Sequence, residues 1–148
     1  MARRDTQIIR YSASEERFNR TSHALAGLVF LCGPVRLLGG AARTGGPDRI
    51  VGSAVFGVCL VLFSLTSTIY HSLRSDRYRL LFRKLDHIGI YLLIAGTYTP
   101  ITLVTLRNGN GWAIFGTVWG LALAGTLFKV FLVHRIPFLA PVLYIALG

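Results

Sequence analysis

Long stretches without Asp, Glu, Lys or Arg alternate with short polar segments along this chain. Three of these stretches, Ile50–Leu73, His87–Leu106 and Asn108–Phe128, contain 24, 20 and 21 residues. A helix needs about 20 apolar residues to cross a bilayer core of about 30 Å. Helices of a soluble core do not need to be uncharged on every face. The pattern therefore predicts an all-α, polytopic bundle of transmembrane helices.

The pattern divides the chain into a polar N-terminal segment, residues 1–20, and a transmembrane domain, residues 21–148. Four complete spans are expected at about 21–39, 50–73, 86–106 and 112–133, with an incomplete fifth at 137–148. The first span is the weakest, because Pro34 and Arg36 interrupt it. Gly116 and Gly120 form a GxxxG pattern in the fourth span, which favours close helix packing. Since the last apolar run is too short to span, we expect the chain to be a truncated form of a longer bundle.

The net charge of +10 is distributed unevenly between the two sides of this predicted bundle. Twelve of the 16 Lys and Arg residues fall on the side of the N-terminus, and four fall on the other side. The positive-inside rule then places the N-terminus in the cytoplasm of a multi-pass plasma-membrane protein, such as one of a bacterial inner membrane. We expect membrane lipid as the partner and no nucleic acid, while the sequence leaves the oligomeric state open.

Ser67 and His71 are the first candidates for chemistry, at the cytoplasmic end of the second span. They are four residues apart, so they share one face of a helix. An imidazole beside a hydroxyl can bind a metal or move a proton when it faces the interior of a bundle. The alternative is a histidine at the membrane boundary that is hydrogen-bonded to a neighbouring backbone group, and spacing alone favours this alternative.

Asp86 is the second candidate, because it opens the predicted third span at the same level as His71. A carboxylate beside an imidazole could orient a metal ligand or activate a water molecule. The alternative is an N-cap, since Asp is favoured at helix N-termini. Ser67, His71 and Asp86 together form a polar cluster at one depth, which is harder to attribute to capping alone.

The other polar residues near the membrane give weaker signals. His23 begins the first span near Glu16 and could line the same pocket or lie at the interface. His87 is adjacent to Asp86, and neighbouring helical residues point about 100° apart, so both are not expected to face one site. His134 is expected to meet solvent, and Tyr91 with Tyr98 to form a packing stripe. Gly96–Pro100 is expected to pack closely and to kink the third span.

Several motifs of this sequence resemble the hemolysin III family, which belongs with the progestin and adipoQ receptors. The motifs are Glu15-Glu16-x-x-Asn19-x-x-Ser22-His23, Ser67-x-x-Tyr70-His71, the long stretch Lys84–Pro100, Leu127-Phe128-Lys129 and His134-Arg135. The resemblance covers nearly the whole chain from Tyr11 onward.

This resemblance implies seven spans with the N-terminus inside and a zinc ion near the cytoplasmic face. It makes His71 a zinc ligand, Ser67 part of its surroundings, and Asp86 the residue that holds the metal-bound water. The other two histidine ligands belong to an HxxxH motif of the seventh span, which would lie beyond Gly148. One imidazole and one carboxylate should not hold zinc tightly, so we expect this chain alone to be inactive.

Two classes of function follow from the resemblance. The first is a zinc-dependent membrane hydrolase of a lipid amide or ester, with Ser67 and Asp86 as catalytic residues and His71 as metal ligand. The alternative is a non-enzymatic membrane effector, either a pore-forming cytolysin or a receptor-like regulator of membrane lipid. Few charges occur within the spans, so a charged pore lining is not visible.

Overall fold

The described part of the chain is built of helices. A computed structural model describes residues 12–73, 75–131 and 139–147. They form α1 (Ala13–Thr44), α2 (Pro47–Ser72), α3 (Asp76–Pro100), a π-helical segment (Ile101–Thr105), α4 (Gly111–Phe131) and α5 (Leu139–Leu147). Within these ranges no strand occurs, so the predicted all-α class is confirmed. Residues 1–11, Arg74, residues 132–138 and Gly148 lie outside the described ranges, so His134 and the start of the predicted fifth span are among them.

Among the described residues, four helical stretches are long and apolar enough to cross a membrane, which confirms the predicted polytopic bundle. They are Ala13–Arg43, Pro47–Ser72, Asp76–Thr105 and Gly111–Phe131. At about 1.5 Å per residue, the first and third are about 45 Å long and exceed a hydrocarbon core of about 30 Å. Parts of α1 and α3 therefore extend beyond the core of the bilayer.

The start of α3 corrects one sequence-based interpretation. The helix begins at Asp76, ten residues before Asp86, and only residues 73–75 separate it from α2. Asp86 therefore lies in a helix interior, and its interpretation as an N-cap is wrong. The basic residues Arg77, Arg79, Arg83 and Lys84 are helical rather than part of a loop. Long Lys and Arg side chains can reach the membrane boundary from a helix end, so they do not stop the helix.

Close approaches at small residues set the register between the first three helices. A methyl group at Gly57 would lie 2.7 Å from Pro34 Cβ, across the α1–α2 contact. A methyl group at Gly96 would lie 2.8 Å from Cys59 Cβ, and one at Gly52 would lie 2.8 Å from Pro100 Cα. This antiparallel register of α2 and α3 places Asp86 level with residue 67, about one helical turn from the level of residue 71.

Helix α4 packs through a glycine other than those of the GxxxG pattern. A methyl group added at Gly116 or Gly120 would meet no described atom within 4 Å, whereas one added at Gly125 would lie 2.5 Å from Tyr91 Cε1. Tyr91 is fully buried and forms a core with Ala95 of α3, Val118 and Ala122 of α4, and Leu147 of α5. The predicted close packing at GxxxG is therefore not seen within the described ranges.

The π-helical segment begins directly after Pro100, where the sequence predicted an irregularity. Proline has no N–H group, so the carbonyl of Gly96 lacks its α-helical donor. The Leu106 N–H then donates to the Ile101 carbonyl five residues earlier, at 3.0 Å. The irregular backbone lies beside α2, because Pro100 touches Gly52.

Candidate functional site

A cluster of polar and aromatic side chains lies at the end of the bundle where α2 turns into α3. It consists of Glu16, His23, Tyr70, His71 and Arg79, and we call it the Glu16 cluster. Its members come from the start of α1, the last turns of α2 and the first turn of α3. Three helices therefore meet at this cluster.

Glu16 is the centre of the cluster. Its Oε2 atom lies 3.1 Å from Nδ1 of His71, and its Oε1 atom accepts a hydrogen bond from the Arg79 guanidinium. The three side chains are 17%, 10% and 12% exposed, respectively. One carboxylate thus connects α1 to both α2 and α3 in a partly buried setting. Charge-assisted hydrogen bonds of this kind are roughly twice as strong as neutral ones.

Neighbouring aromatic side chains also contribute to the orientation of the His71 imidazole. The His23 ring stacks on it, with centroids 5.9 Å apart and planes 13° apart. The Tyr70 ring lies 4.7 Å from it, and the Arg79 guanidinium carbon lies 5.5 Å from the Tyr70 ring centroid. His23 therefore contacts His71 in the Glu16 cluster, in line with one of the two placements that its position left open.

The contact with Glu16 determines which ring nitrogen of His71 can bind a metal. Histidines that bind metals commonly donate their other N–H to a carboxylate, which fixes the tautomer and the ring orientation. Since Nδ1 of His71 faces Glu16, coordination by His71 would use Nε2. The contact therefore fixes the ring so that Nε2 is the nitrogen directed away from Glu16.

Ser67 and Asp86 lie deeper than His71 along their helices. Ser67 is 2% exposed and sits one turn before His71 on α2. Oδ1 of Asp86 is buried and has no hydrogen-bond partner among the described residues. A buried carboxylate oxygen without a partner is costly, and such an atom calls for an unseen water or ion. The described contacts do not join Asp86 directly to His71.

The described residues do not form a complete metal site by themselves. No group of three or more His, Cys, Asp or Glu side chains suited to a metal ion occurs in the described ranges. One carboxylate-supported imidazole and one buried carboxylate oxygen without a partner are present. These residues fit one side of a zinc site, because catalytic zinc takes three protein ligands and a water.

The remaining candidates have structural roles within the described ranges. His87 Nδ1 lies 2.6 Å from the Arg83 carbonyl, so that nitrogen is engaged by its own helix. Tyr91 is fully buried, and Tyr98 packs against the same core. The tyrosine stripe therefore packs the α3–α4 contact, as the spacing indicated. His134 lies outside the described residues.

Sequence reasoning did not identify Glu16 and Arg79 as site residues. The seven-residue spacing between Glu16 and His23 was a usable signal, since it places both on one face of α1. Arg79 gave no such signal, because it was assigned to a loop. Its contact with Glu16 depends on α3 starting at Asp76.

Comparisons with known proteins agree with the motifs. The sequence profile of the family described as Haemolysin-III related matches residues 11–148. Hemolysin-3 of Bacillus cereus is 37% identical over 145 residues, which cover 98% of this chain and 64% of that protein. The Hemolysin-3 homolog of Bacillus subtilis (strain 168) is 36% identical over 138 residues, which cover 93% of this chain and 65% of that protein. This chain thus spans just under two thirds of the length of these curated relatives.

No solved structure gives a significant match. Because the profile match extends over nearly all of the sequence, this chain belongs to the Haemolysin-III-related family of membrane proteins.

Proposed function

We propose that the whole protein is a zinc-dependent membrane hydrolase that cleaves a lipid amide or ester. This chain would supply one wall of its zinc site, with the Glu16 cluster on the cytoplasmic side of the plasma membrane. The observation that carries the proposal is the 3.1 Å contact between His71 Nδ1 and Glu16 Oε2. This arrangement is the carboxylate–histidine pairing that supports metal ligands in proteins.

Three side chains have separate roles in this proposal. His71 would bind zinc through Nε2, and Asp86 would hold the attacking water at its buried Oδ1 atom. Ser67 would position the substrate or the water one turn deeper than His71. Bound zinc would supply the chemistry that these groups lack, since it lowers the pKa of its water to about 7.

The remaining metal ligands would come from elsewhere in the whole protein. The resemblance noted above implies two histidines in an HxxxH motif, and the relatives are longer than this chain by about half its length. One histidine with a carboxylate partner is too few to hold zinc tightly.

Hydrolysis by the whole protein in proteoliposomes tests the proposal. The substrates would be a ceramide and a short-chain ester, and the readout would be released fatty acid by mass spectrometry. We expect zinc-dependent release that His71→Ala abolishes and that Glu16→Gln lowers, whereas Glu15→Gln serves as the matched control. Release that persists unchanged in His71→Ala would contradict the proposal.

A non-enzymatic membrane effector is the second candidate, and the names of the relatives favour it. Both are called Hemolysin-3 or its homolog, and such names refer to cell lysis. A pore or a receptor-like regulator of membrane lipid would not need His71 for chemistry. Ion flux through the whole protein in vesicles would favour this function if it is unchanged in His71→Ala and if no fatty acid is released.

A further inference from the structure

A second polar site lies at the opposite end of the bundle, where α1 turns into α2. A pocket of about 430 Å³ is bounded by α1, α2 and the π-helical segment. Its lining includes two arginines, Arg36 and Arg49, and two residues with hydroxyl groups, Ser53 and Thr105. Arg36 is 20 residues after Glu16 on the same helix, so about 30 Å separates this pocket from the Glu16 cluster.

The two arginines have no anionic partner in the described part of the chain. Neither Arg36 nor Arg49 makes a side-chain hydrogen bond or ion pair there. The nearest acidic residue in sequence, Asp48, pairs instead with Arg107. Both arginines are exposed residues of the pocket lining, and no carboxylate of the described residues neutralises them. This arrangement attracts an anion, and guanidinium groups bind phosphate oxygens in a bidentate manner.

The position of Arg49 is built into the turn between the helices. A methyl group at Gly45 would lie 2.9 Å from both Cβ and Cδ of Arg49 and 2.7 Å from the Ala41 carbonyl oxygen. The absence of a side chain at Gly45 thus allows the Arg49 stem to fold over the turn. Gly45 N–H also donates to the Ala41 carbonyl at 2.8 Å, which holds the turn in place.

The hydroxyl groups of the pocket differ from most others in the spans. Thr68 and Thr99, for example, donate to the carbonyl four residues earlier, at 2.7 and 2.8 Å. Ser53 and Thr105 make no such bond within the described ranges. Their hydroxyl groups can therefore donate to a ligand instead of to their own helices.

The rest of the pocket is apolar and belongs to helices that cross the membrane. Leu37, Pro100, Ile101 and Val104 form much of its wall. A ligand that fits both the two arginines and the apolar wall carries a phosphate group next to a hydrocarbon chain, as a phospholipid does. A zwitterionic headgroup would bring its own cation toward two arginines, whereas an anionic headgroup would not.

We propose that this pocket binds the headgroup of an anionic phospholipid. Arg36 and Arg49 hold the phosphate, the hydroxyl groups of Ser53 and Thr105 donate to its oxygens, and the apolar wall covers the first methylene groups of an acyl chain. The site is independent of the Glu16 cluster and of the hydrolysis proposed above. It would anchor α1 and α2 to one leaflet.

Lipid binding to the chain in dodecyl maltoside micelles tests this site. Dioctanoyl phosphatidylglycerol is titrated, and the apparent Kd is read from the rise in the unfolding midpoint. We expect the double variant Arg36→Gln/Arg49→Gln to bind at least tenfold more weakly. Gly45→Ala keeps both charges but displaces Arg49, and we expect it to weaken binding as well. Arg43→Gln is the matched control, because Arg43 is exposed like Arg36 and Arg49 but does not line the pocket.

Three outcomes would overturn the proposal. If Arg43→Gln weakened lipid binding as much as the double variant does, the net charge of the chain alone would attract the lipid. Equal affinity for dioctanoyl phosphatidylcholine would mean that the negative headgroup is not recognised. Displacement of the lipid by millimolar inorganic phosphate would mean a site for the free anion.

Discussion

Glu16 and His71 are 55 positions apart in the chain, and the His71 Nδ1 atom lies 3.1 Å from Glu16 Oε2. This contact brings the first turn of α1 to the last turn of α2. The same carboxylate binds Arg79 at the start of α3. Glu16 therefore has two roles. It connects three helices, and it orients the imidazole that we propose as a zinc ligand.

Glu16→Gln should destabilise the chain. The amide keeps the shape of the side chain but loses the charge that Arg79 and His71 face in a partly buried setting. Hydrogen bonds to charged groups contribute about 1.5–3 kcal/mol, so we expect a loss of about 1–3 kcal/mol in the free energy of unfolding. Chemical denaturation of the chain in detergent micelles measures this loss.

Glu15→Gln is the control for this substitution. Glu15 is exposed and forms a capping box with Ser12 at the start of α1. Glutamine can take the same place in a capping box, so we expect little change. Equal destabilisation by the two substitutions would contradict the central role of Glu16.

Gly125→Ala should destabilise the contact between α3 and α4. The added methyl group would lie 2.5 Å from the buried Tyr91 ring. Overpacking of this kind costs about 1–3 kcal/mol. Gly116→Ala and Gly120→Ala are the controls, because nothing described lies within 4 Å of their methyl positions. Thermal unfolding of the three variants compares them, and equal loss in all three would contradict the assigned packing.

Asp86→Asn should lower hydrolysis by the whole protein without lowering the stability of the chain. Asp86 Oδ1 is buried without a described hydrogen-bond partner, so removal of the charge should leave the unfolding midpoint unchanged or raise it. In the whole protein the same substitution should lower hydrolysis, because the amide lacks the negative charge with which Asp86 would hold the attacking water. A large loss of stability would mean that Asp86 has a structural role instead.

Trp119→Phe should weaken the α3–α4 contact modestly. Trp119 Nε1 donates to Thr99 Oγ1 at 3.1 Å, and Thr99 is 1% exposed. We expect a loss of about 0.5–1.5 kcal/mol, the usual net contribution of one hydrogen bond. Trp112→Phe is the control, since Trp112 is 64% exposed. Denaturant titration measures both, and a loss of equal size in the control would contradict the contribution of this bond.

The hydropathy pattern alone predicted the helices, because a segment that crosses a bilayer must be long and apolar whichever helices it packs against. It did not predict where α3 begins. Four basic residues precede Asp86, and a count of charges treats them as a loop although they continue the helix. The GxxxG pattern identified small residues but not the side of α4 that faces α3. Gly125, opposite the bulky Tyr91, could be assigned only from the packing.

The candidate site could be predicted in part. Ser67 and His71 followed from helical spacing, and Asp86 from its position near a predicted helix end. The contact that supports His71 joins residues from distant parts of the chain, and neither propensity nor periodicity encodes such pairs. Glu16 and Arg79 acquire their roles only when α1, α2 and α3 have packed.

Zinc content of the purified whole protein tests the central claim most directly. The measurement is zinc per polypeptide by inductively coupled plasma mass spectrometry, for the wild type, His71→Ala and Glu15→Gln. We predict about one zinc per chain in the wild type and in Glu15→Gln, and a loss of most of it in His71→Ala, because catalytic zinc depends on three protein ligands. Equal zinc in the wild type and in His71→Ala would contradict the claim that His71 is a ligand.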